Sequence, residues 1–562
     1  MVAAVVSAPL KEIDRMYAAA GCPRSPVSFG VPEFFAAEVA KDPAAIPLLT
    51  ASNAHTLPNN SLVRLQATVQ DLPNPQLYVG VARRKDGSLC TTKFSDAADD
   101  RIASLDTTAL WDRQPVVVVP APKSAWIDGR AAGAAAPVPS DVSDDAFLVY
   151  MYDGTNKELV LHDLVEVIGV LSRPPSADAV EGLSVRMEEA CDVSGGGGGD
   201  QAGVQHAAHQ HEQADAVMGG DALSFDHEGA AEAEAFGKMI SVHALLVTRS
   251  PDLVSLPSRL PTAEKLAPLR ARAVATLARA LGGDVLAAEY VLLSAMQRVT
   301  ARTADTAMGV APLSLTHCPA PAPGAKSPGP LGPALRTALA SLVPLTSSLD
   351  LTVEAANVGG WTPCRAPGAP RVSRSPLQLP PGCLLVVDET GLSEGTLLEA
   401  GTASMRALGG VLSEQLLRYE FEMYSHPVPV CLPAIVLSTG RSVLRESLQL
   451  QLPLHATREV PGEVEITEEL RQQDAELKPV RVYLAGAAAG DYELSDDMRA
   501  RLVDEFVAAR KADATFGPEA FQTQLTLARA SALSWGETTL TPQRWAAVKD
   551  MEATRSARLR VV

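Results

Sequence analysis

Asp388 and Glu389 are the residues best suited by type and spacing to do chemistry. They close the apolar run Leu384-Leu385-Val386-Val387, and a hydrophobic strand ending in two acids has the Walker B form. In an ATPase the first acid orients Mg2+ and its water, and the second polarises the attacking water. A buried strand that merely ends in two acids fits the same six residues, because so short a motif recurs by chance. The chemistry also needs a glycine loop presenting lysine and Ser/Thr, and no G-x-x-x-x-G-K-[ST] occurs. The nearest string, Gly324-Ala325-Lys326-Ser327, lies among Pro319, Pro321, Pro323, Pro328 and Pro330. A phosphate loop runs from a strand into a helix, so that backbone N–H groups point at the anion. Proline-flanked coil is not expected to supply that, which sets the string aside.

The other candidates have plainer readings. Gly391-Leu392-Ser393-Glu394-Gly395 matches the nucleophile-elbow pattern, but Asp388, Glu389 and Thr390 separate it from its strand, and neither His426 nor His455 is marked as its base. Ser438, after a second apolar run, reads as a strand-end turn. His206, His209 and His211 lie in a Gly-rich acidic tract, where a solvated polar stretch is expected rather than a metal site. Arg83-Arg84-Lys85 reads as a hairpin tip. No HExxH occurs, and the seven scattered cysteines lack a CxxC, which fits a reducing compartment. No catalytic residue, cofactor or metal is expected.

The 562 residues carry a net charge of −18, and two-thirds of it comes from residues 175–236, where thirteen acids face one base, Arg186. No basic stripe of the kind that neutralises phosphates is visible, so direct nucleic-acid binding is not expected and a protein partner is. No window is long and apolar enough to predict a membrane span.

The elements that must position these residues fall into blocks. Residues 8–42 read as one or two helices. From Ser61 short strands follow: Val63, Leu65, Ala67 and Val69 alternate, and further runs lie at 115–120, 147–153 and 159–172, suggesting a small OB-like module over 1–172. Residues 173–236, with Gly195–Gly199, form an acidic linker too poor in large apolar residues to order itself. Residues 237–490 mix helices and buried strands as an α/β domain. Residues 491–562 read as helices, with Ser495 a cap and Thr541-Pro542 a cap followed by proline at the first helical position.

Several stretches together resemble MCM-binding proteins: Leu62–Val81, Phe147–Ser172, Gly283–Leu293 (GDVLAAEYVLL), Leu377–Leu397 (with VVDET), Tyr419–Leu444 and Leu525–Arg555. The resemblance covers nearly the whole chain outside the linker, in the family's order. It implies a nuclear, non-catalytic cell-cycle protein that associates with subunits of the MCM replicative helicase. Expected roles are their assembly, supply or removal from chromatin in DNA replication, with a link to cell division and sister-chromatid cohesion. It also implies that 237–490 is a degenerate MCM-type AAA+ domain and 491–562 its helical lid. Laid over the helicases' phosphate loop, Gly283 and Asp284 open the pattern, Glu289 takes the lysine position and Tyr290 the Mg2+-binding hydroxyl position. Glutamate there reverses the charge that phosphates require, and Thr439 takes the place of the polar sensor. The other expectation is a weak AAA+-type ATPase that remodels a complex, supported by Asp388-Glu389. Oligomeric state is left open.

Overall fold

The computed structural model describes residues 2–95, 102–106, 108–128, 145–154, 158–174, 235–254, 256, 263–303, 306–322, 328–369 and 371–561. The histidines His206, His209 and His211, most of the acidic tract and Gly324–Ser327 lie outside the described residues.

Alternation builds the first unit. Strand β1 (Leu62–Asp71) turns Val63, Leu65, Ala67 and Val69 into one core, as the sequence predicts. β6 (Leu110–Pro120), β7 (Phe147–Met151), β8 (Leu164–Ser172) and β9 (Ser241–Arg249) join it in the order β1-β8-β9-β7-β6, and a β1–β6 pairing closes five strands into an OB-like barrel. β2 (Gln76–Val79) extends β6, and β3 (Val81–Arg84), β4 (Leu89–Thr91) and β5 (Ile102–Leu105) form a small separate sheet. Helices α1 (Val2–Ser7), α2 (Pro9–Ala19) and α3 (Val31–Lys41) cover the outside, where Ile13, Val31 and Phe35 pack with Val117, Leu148, Val170 and Leu245.

One boundary differs from the sequence expectation. The sequence places Ser241–Arg249 in the second domain, yet β9 pairs antiparallel with β8 from Val165↔Arg249 to Ser172↔Ser241, and parallel with β7. The barrel therefore does not end at 172, and residues 173–240 connect two adjacent barrel strands rather than two domains. The reason is again alternation: Val242 and Ala244 fill the barrel while Leu245 meets the outer helices. Gly169 permits the close pairing, since a Cβ there would lie 2.3 Å from the His243 carbonyl oxygen.

The second unit follows as α4 (Ala263–Ala280), α5 (Val285–Ala295), β10 (Ala301–Arg302), β11 (Ala307–Met308), β12 (Leu313–Thr316), α6 (Leu331–Leu342), β13 (Thr346–Asp350), α7 (Val353–Val358), β14 (Leu384–Asp388), α8 (Glu399–Ser413), β15 (Leu416–Glu420), β16 (Ser425–Pro429), β17 (Ala434–Leu437) and β18 (Leu450–Pro453). Five of these strands make a wholly parallel sheet in the order β13-β14-β17-β12-β18. Leu384 and Val386 enter one core and Leu385 and Val387 the other, as burial on both faces of a parallel sheet requires.

Five helices end the chain: α9 (Glu463–Gln472), α10 (Asp474–Ala488), α11 (Asp496–Ala512), α12 (Pro518–Ser534) and α13 (Pro542–Val561). Ser495 caps α11 by accepting from Met498 N, and Thr541 Oγ1 accepts from Arg544 N with Pro542 at the first helical position. No helix among the described residues is long and apolar enough to cross a membrane.

The barrel docks directly on the α/β unit. Ser124 donates its N–H to Pro344 O (2.9 Å) and its hydroxyl to Val343 O (2.6 Å). Trp126 Nε1 donates to Ala340 O (3.0 Å), and the guanidinium of Arg481 lies over its ring. Val372 N donates to Asp71 Oδ2 (2.9 Å), and His162 Nε2 meets Tyr419 Oη (2.8 Å).

Candidate functional site

The carboxyl edge of the parallel sheet gathers the acids first. Asp388 ends β14, buried. Its Oδ1 accepts from Thr390 N (2.9 Å) and Thr390 Oγ1 (2.6 Å), and Thr390 Oγ1 in turn accepts from Gly329 N (2.7 Å). Asp388 Oδ2 has no hydrogen-bond partner among the described residues. It faces Gly332, where a Cβ would fall 1.7 Å from it. Glu389 accepts from Ser442 Oγ (2.8 Å) and Val443 N (3.3 Å), and its own N–H donates to Leu437 O. Burial pushes both carboxyls above the ordinary carboxylate range. Both acids are thus inside the protein: Glu389 braces the segment after β17, and Asp388 braces the start of α6.

The string Gly324–Ser327 lies outside the described residues; in sequence it follows β12 and precedes α6. The prolines after it reach the start of α6, where Pro330 holds the cap position with a helix-compatible φ of −65°. They change what the helix start offers. The first turn of a helix binds anions through free N–H groups, and Pro328, Pro330 and Pro333 have none. The Gly329 N–H is already given to Thr390. Leu331 and Gly332 keep theirs, and the carboxylate of Asp388 sits against Gly332.

The 283–293 overlay is also corrected. Gly282 and Gly283, with φ of +63° and +87°, make the turn between α4 and α5, so this stretch follows a helix, whereas a phosphate loop follows a strand. Asp284 caps α5 by accepting from Ala287 N (3.1 Å); it also accepts from His455 N (2.8 Å) and from both Nη atoms of Arg558 (2.6 and 3.0 Å). Burial opposes its charge, but Arg558 and the two N–H groups hold it below the usual range. Glu289 takes Arg270 in a two-pronged pair, 2.9 Å on one side. Tyr290 is buried and donates to Glu552, itself paired with Arg555; burial, then Glu552, raises its pKa. These residues bolt α5 to α4, α13 and the segment after β18.

Of the remaining candidates, Ser393 is exposed in the loop after β14, Ser438 Oγ donates to Gly440 O (3.0 Å) in a strand-end turn, and Thr439 is exposed beside it. Thr390, Ser442, Gly332, Arg270, Glu552 and Arg558 complete these arrangements and carried no sequence signal, since most act across tens to hundreds of residues.

A closed barrel docked on a doubly covered parallel sheet, with its strand-end acids turned inward, defines a two-unit α/β protein. The profile of the Mini-chromosome maintenance replisome factor family matches residues 36–135 and 128–559, and the chain belongs to that family. A Mini-chromosome maintenance complex-binding protein of Arabidopsis thaliana is 25% identical over 586 residues, covering 92% of this chain and 90% of that protein. The proteins so named in Gallus gallus and Homo sapiens are 31% and 30% identical over 302 and 298 residues, in each case 52% of this chain. Those alignments reach 46% and 45% of the relatives, so the chain spans about half the length of the vertebrate proteins it matches.

Proposed function

We propose that this chain binds subunits of the MCM replicative helicase without hydrolysing nucleotide, and that it supports their assembly, supply or removal from chromatin in the nucleus during replication, with a consequence for sister-chromatid cohesion. Its second half is a degenerate AAA+ module with α11–α13 as lid, and it docks by the subunit-to-subunit surfaces such modules share. One observation carries the non-catalytic reading. The two acids that would serve Mg2+ and water are engaged inside the protein by Thr390, Ser442 and Val443, and the helix start facing them is poor in free N–H donors. Phosphoryl transfer rests on positioning and electrostatics, and an Asp388 carboxylate against Gly332 puts negative charge where phosphate oxygens would go.

The second reading, a weak ATPase, is favoured by sequence order alone, Lys326 and Ser327 falling after β12 and before α6. A titration of the purified protein with a fluorescent ATP analogue and Mg2+ separates the two: binding at micromolar concentrations with turnover lost in Asp388→Asn establishes the enzyme. Affinity purification of the tagged chain from nuclear extract, read by mass spectrometry, tests the partner. Enrichment of several MCM subunits is expected, and their absence refutes the proposal.

A further inference from the structure

The opposite, amino edge of the parallel sheet carries a second concentration of charge. Arg298 lies after α5, Arg302 on β10 and Arg529 on α12. Arg298 and Arg302 meet at the segment before β17: Val299 N, next to Arg298, donates to Cys431 Sγ (3.2 Å), and Arg302 reaches Val430, while Arg529 lies near enough to Arg298 to repel it. None of the three pairs with a carboxylate among the described residues. Arg298 gives Nη1 to the carbonyls of Gln297 (2.6 Å) and Ala295 (3.3 Å). Its Nε lies against Gly382, where a Cβ would come within 2.6 Å. Arg302 donates to Val430 O, and Arg529 stands 5.8 Å from the centre of the Tyr492 ring. Burial pulls all three below the usual guanidinium value. Arg302 is exposed and Arg529 half-buried, so the cost falls on Arg298, a cation drawn into the protein without a counter-charge and with Arg529 nearby. An anion arriving there gains charge-assisted hydrogen bonds.

Arg298 also lines a cleft of about 200 Å3 at the seam between the barrel and the α/β unit. Its other walls include Leu164, Leu253, Met296, Leu345 and Leu484. A cavity of ~150 Å3 holds a benzene ring, so this one admits a single large apolar side chain. The walls are mainly apolar, with Arg298 the one cation and Asp252 the one acid among them; such a cleft takes an apolar group, leaves the carboxylates beside it to the arginines, and lies at a seam between units, where such sites form.

We propose that this seam receives an acidic, apolar segment of a partner protein, with one large side chain in the cleft and neighbouring carboxylates on Arg298, Arg302 and Arg529. A phosphodiester chain makes no use of apolar walls. The proposal fixes the chemistry of the segment and stands apart from the identity of the partner.

The probe is a fluorescein-labelled hexapeptide, Asp-Glu-Leu-Phe-Asp-Glu, titrated with the full chain and read by anisotropy. Three others accompany it: Asn-Gln-Leu-Phe-Asn-Gln, Asp-Glu-Ser-Ser-Asp-Glu and oligo(dT). Saturable binding of the first is expected, weakened at least tenfold by either change to the peptide and by Arg298→Met. Failure of the first peptide to bind, equal binding of the uncharged one, undiminished binding by Arg298→Met, or tighter binding of oligo(dT) overturns the proposal. Should Arg298→Met not fold, the double variant Arg302→Gln/Arg529→Gln, whose side chains both reach the surface, decides by the same tenfold criterion. MCM capture by the wild type is scored separately. Peptide binding without MCM capture sinks the partner reading alone, and MCM capture without peptide binding sinks this site alone.

Discussion

Asp388 and Gly332 show how one missing Cβ sets the state of a strand end. The carboxylate fits against α6 because position 332 has no side chain. Gly332→Ala is expected to destabilise the protein by about 1–3 kcal/mol through overpacking, read as a lower urea midpoint at unchanged slope. A midpoint equal to wild type would show that Asp388 does not press on α6. The Asp284–Arg558 pair makes a second prediction. Arg558→Met leaves a buried carboxylate uncompensated, and removal of one partner from a buried pair costs about 3–5 kcal/mol. Arg558 keeps some contact with solvent, which places the expected loss at the lower end. Loss of less than about 1 kcal/mol in chemical denaturation would contradict a structural role for Asp284.

Elements meet across the two units through His162, whose φ of +71° is rare for a residue with a side chain. Burial depresses its pKa from 6.5 to about 4, so the folded protein holds it neutral. Between those values the unfolded chain binds the extra proton. The stabilisation is therefore complete above pH 6.5 and falls as pH drops towards 4, by up to about 3 kcal/mol. His162→Asn keeps a residue that tolerates positive φ and removes the titration. The stability of wild type relative to this variant should fall between pH 6.5 and 4, measured by denaturation at matched ionic strength; a constant difference would mean His162 titrates normally. Some of these elements were plain in the sequence. Val63 to Val69 alternate over a stretch whose neighbours are turns, and the Ser495 and Thr541 caps depend on residues three positions away. The grip of Arg270 on Glu289 or of Glu552 on Tyr290 was not legible, because tertiary packing, not local pattern, brings those helices together. The 283–293 overlay failed for the same reason: its residues match a loop by type, and only the order of elements shows that no strand precedes them.

At the scale of the molecule, β9 decides how the chain is divided. The acidic stretch interrupts the sequence so strongly that it looks like a boundary, yet Ser172 and Ser241 are paired neighbours. Replacing residues 175–234 by a short Gly-Ser loop should therefore leave the barrel closed and the thermal midpoint within a few degrees of wild type. A large drop would mean that the removed stretch contributes to the fold.

The late arrival of β9 also bears on how the protein is made. A ribosome must release about 250 residues before the fifth strand can seat itself, and until then β7 and β8 present open edges, the kind of surface through which unfinished chains stick to one another. Fragments ending near residue 236 inherit the same exposed edges permanently. Expression of an N-terminal piece is best carried through Arg249, past the point where the ring is sealed.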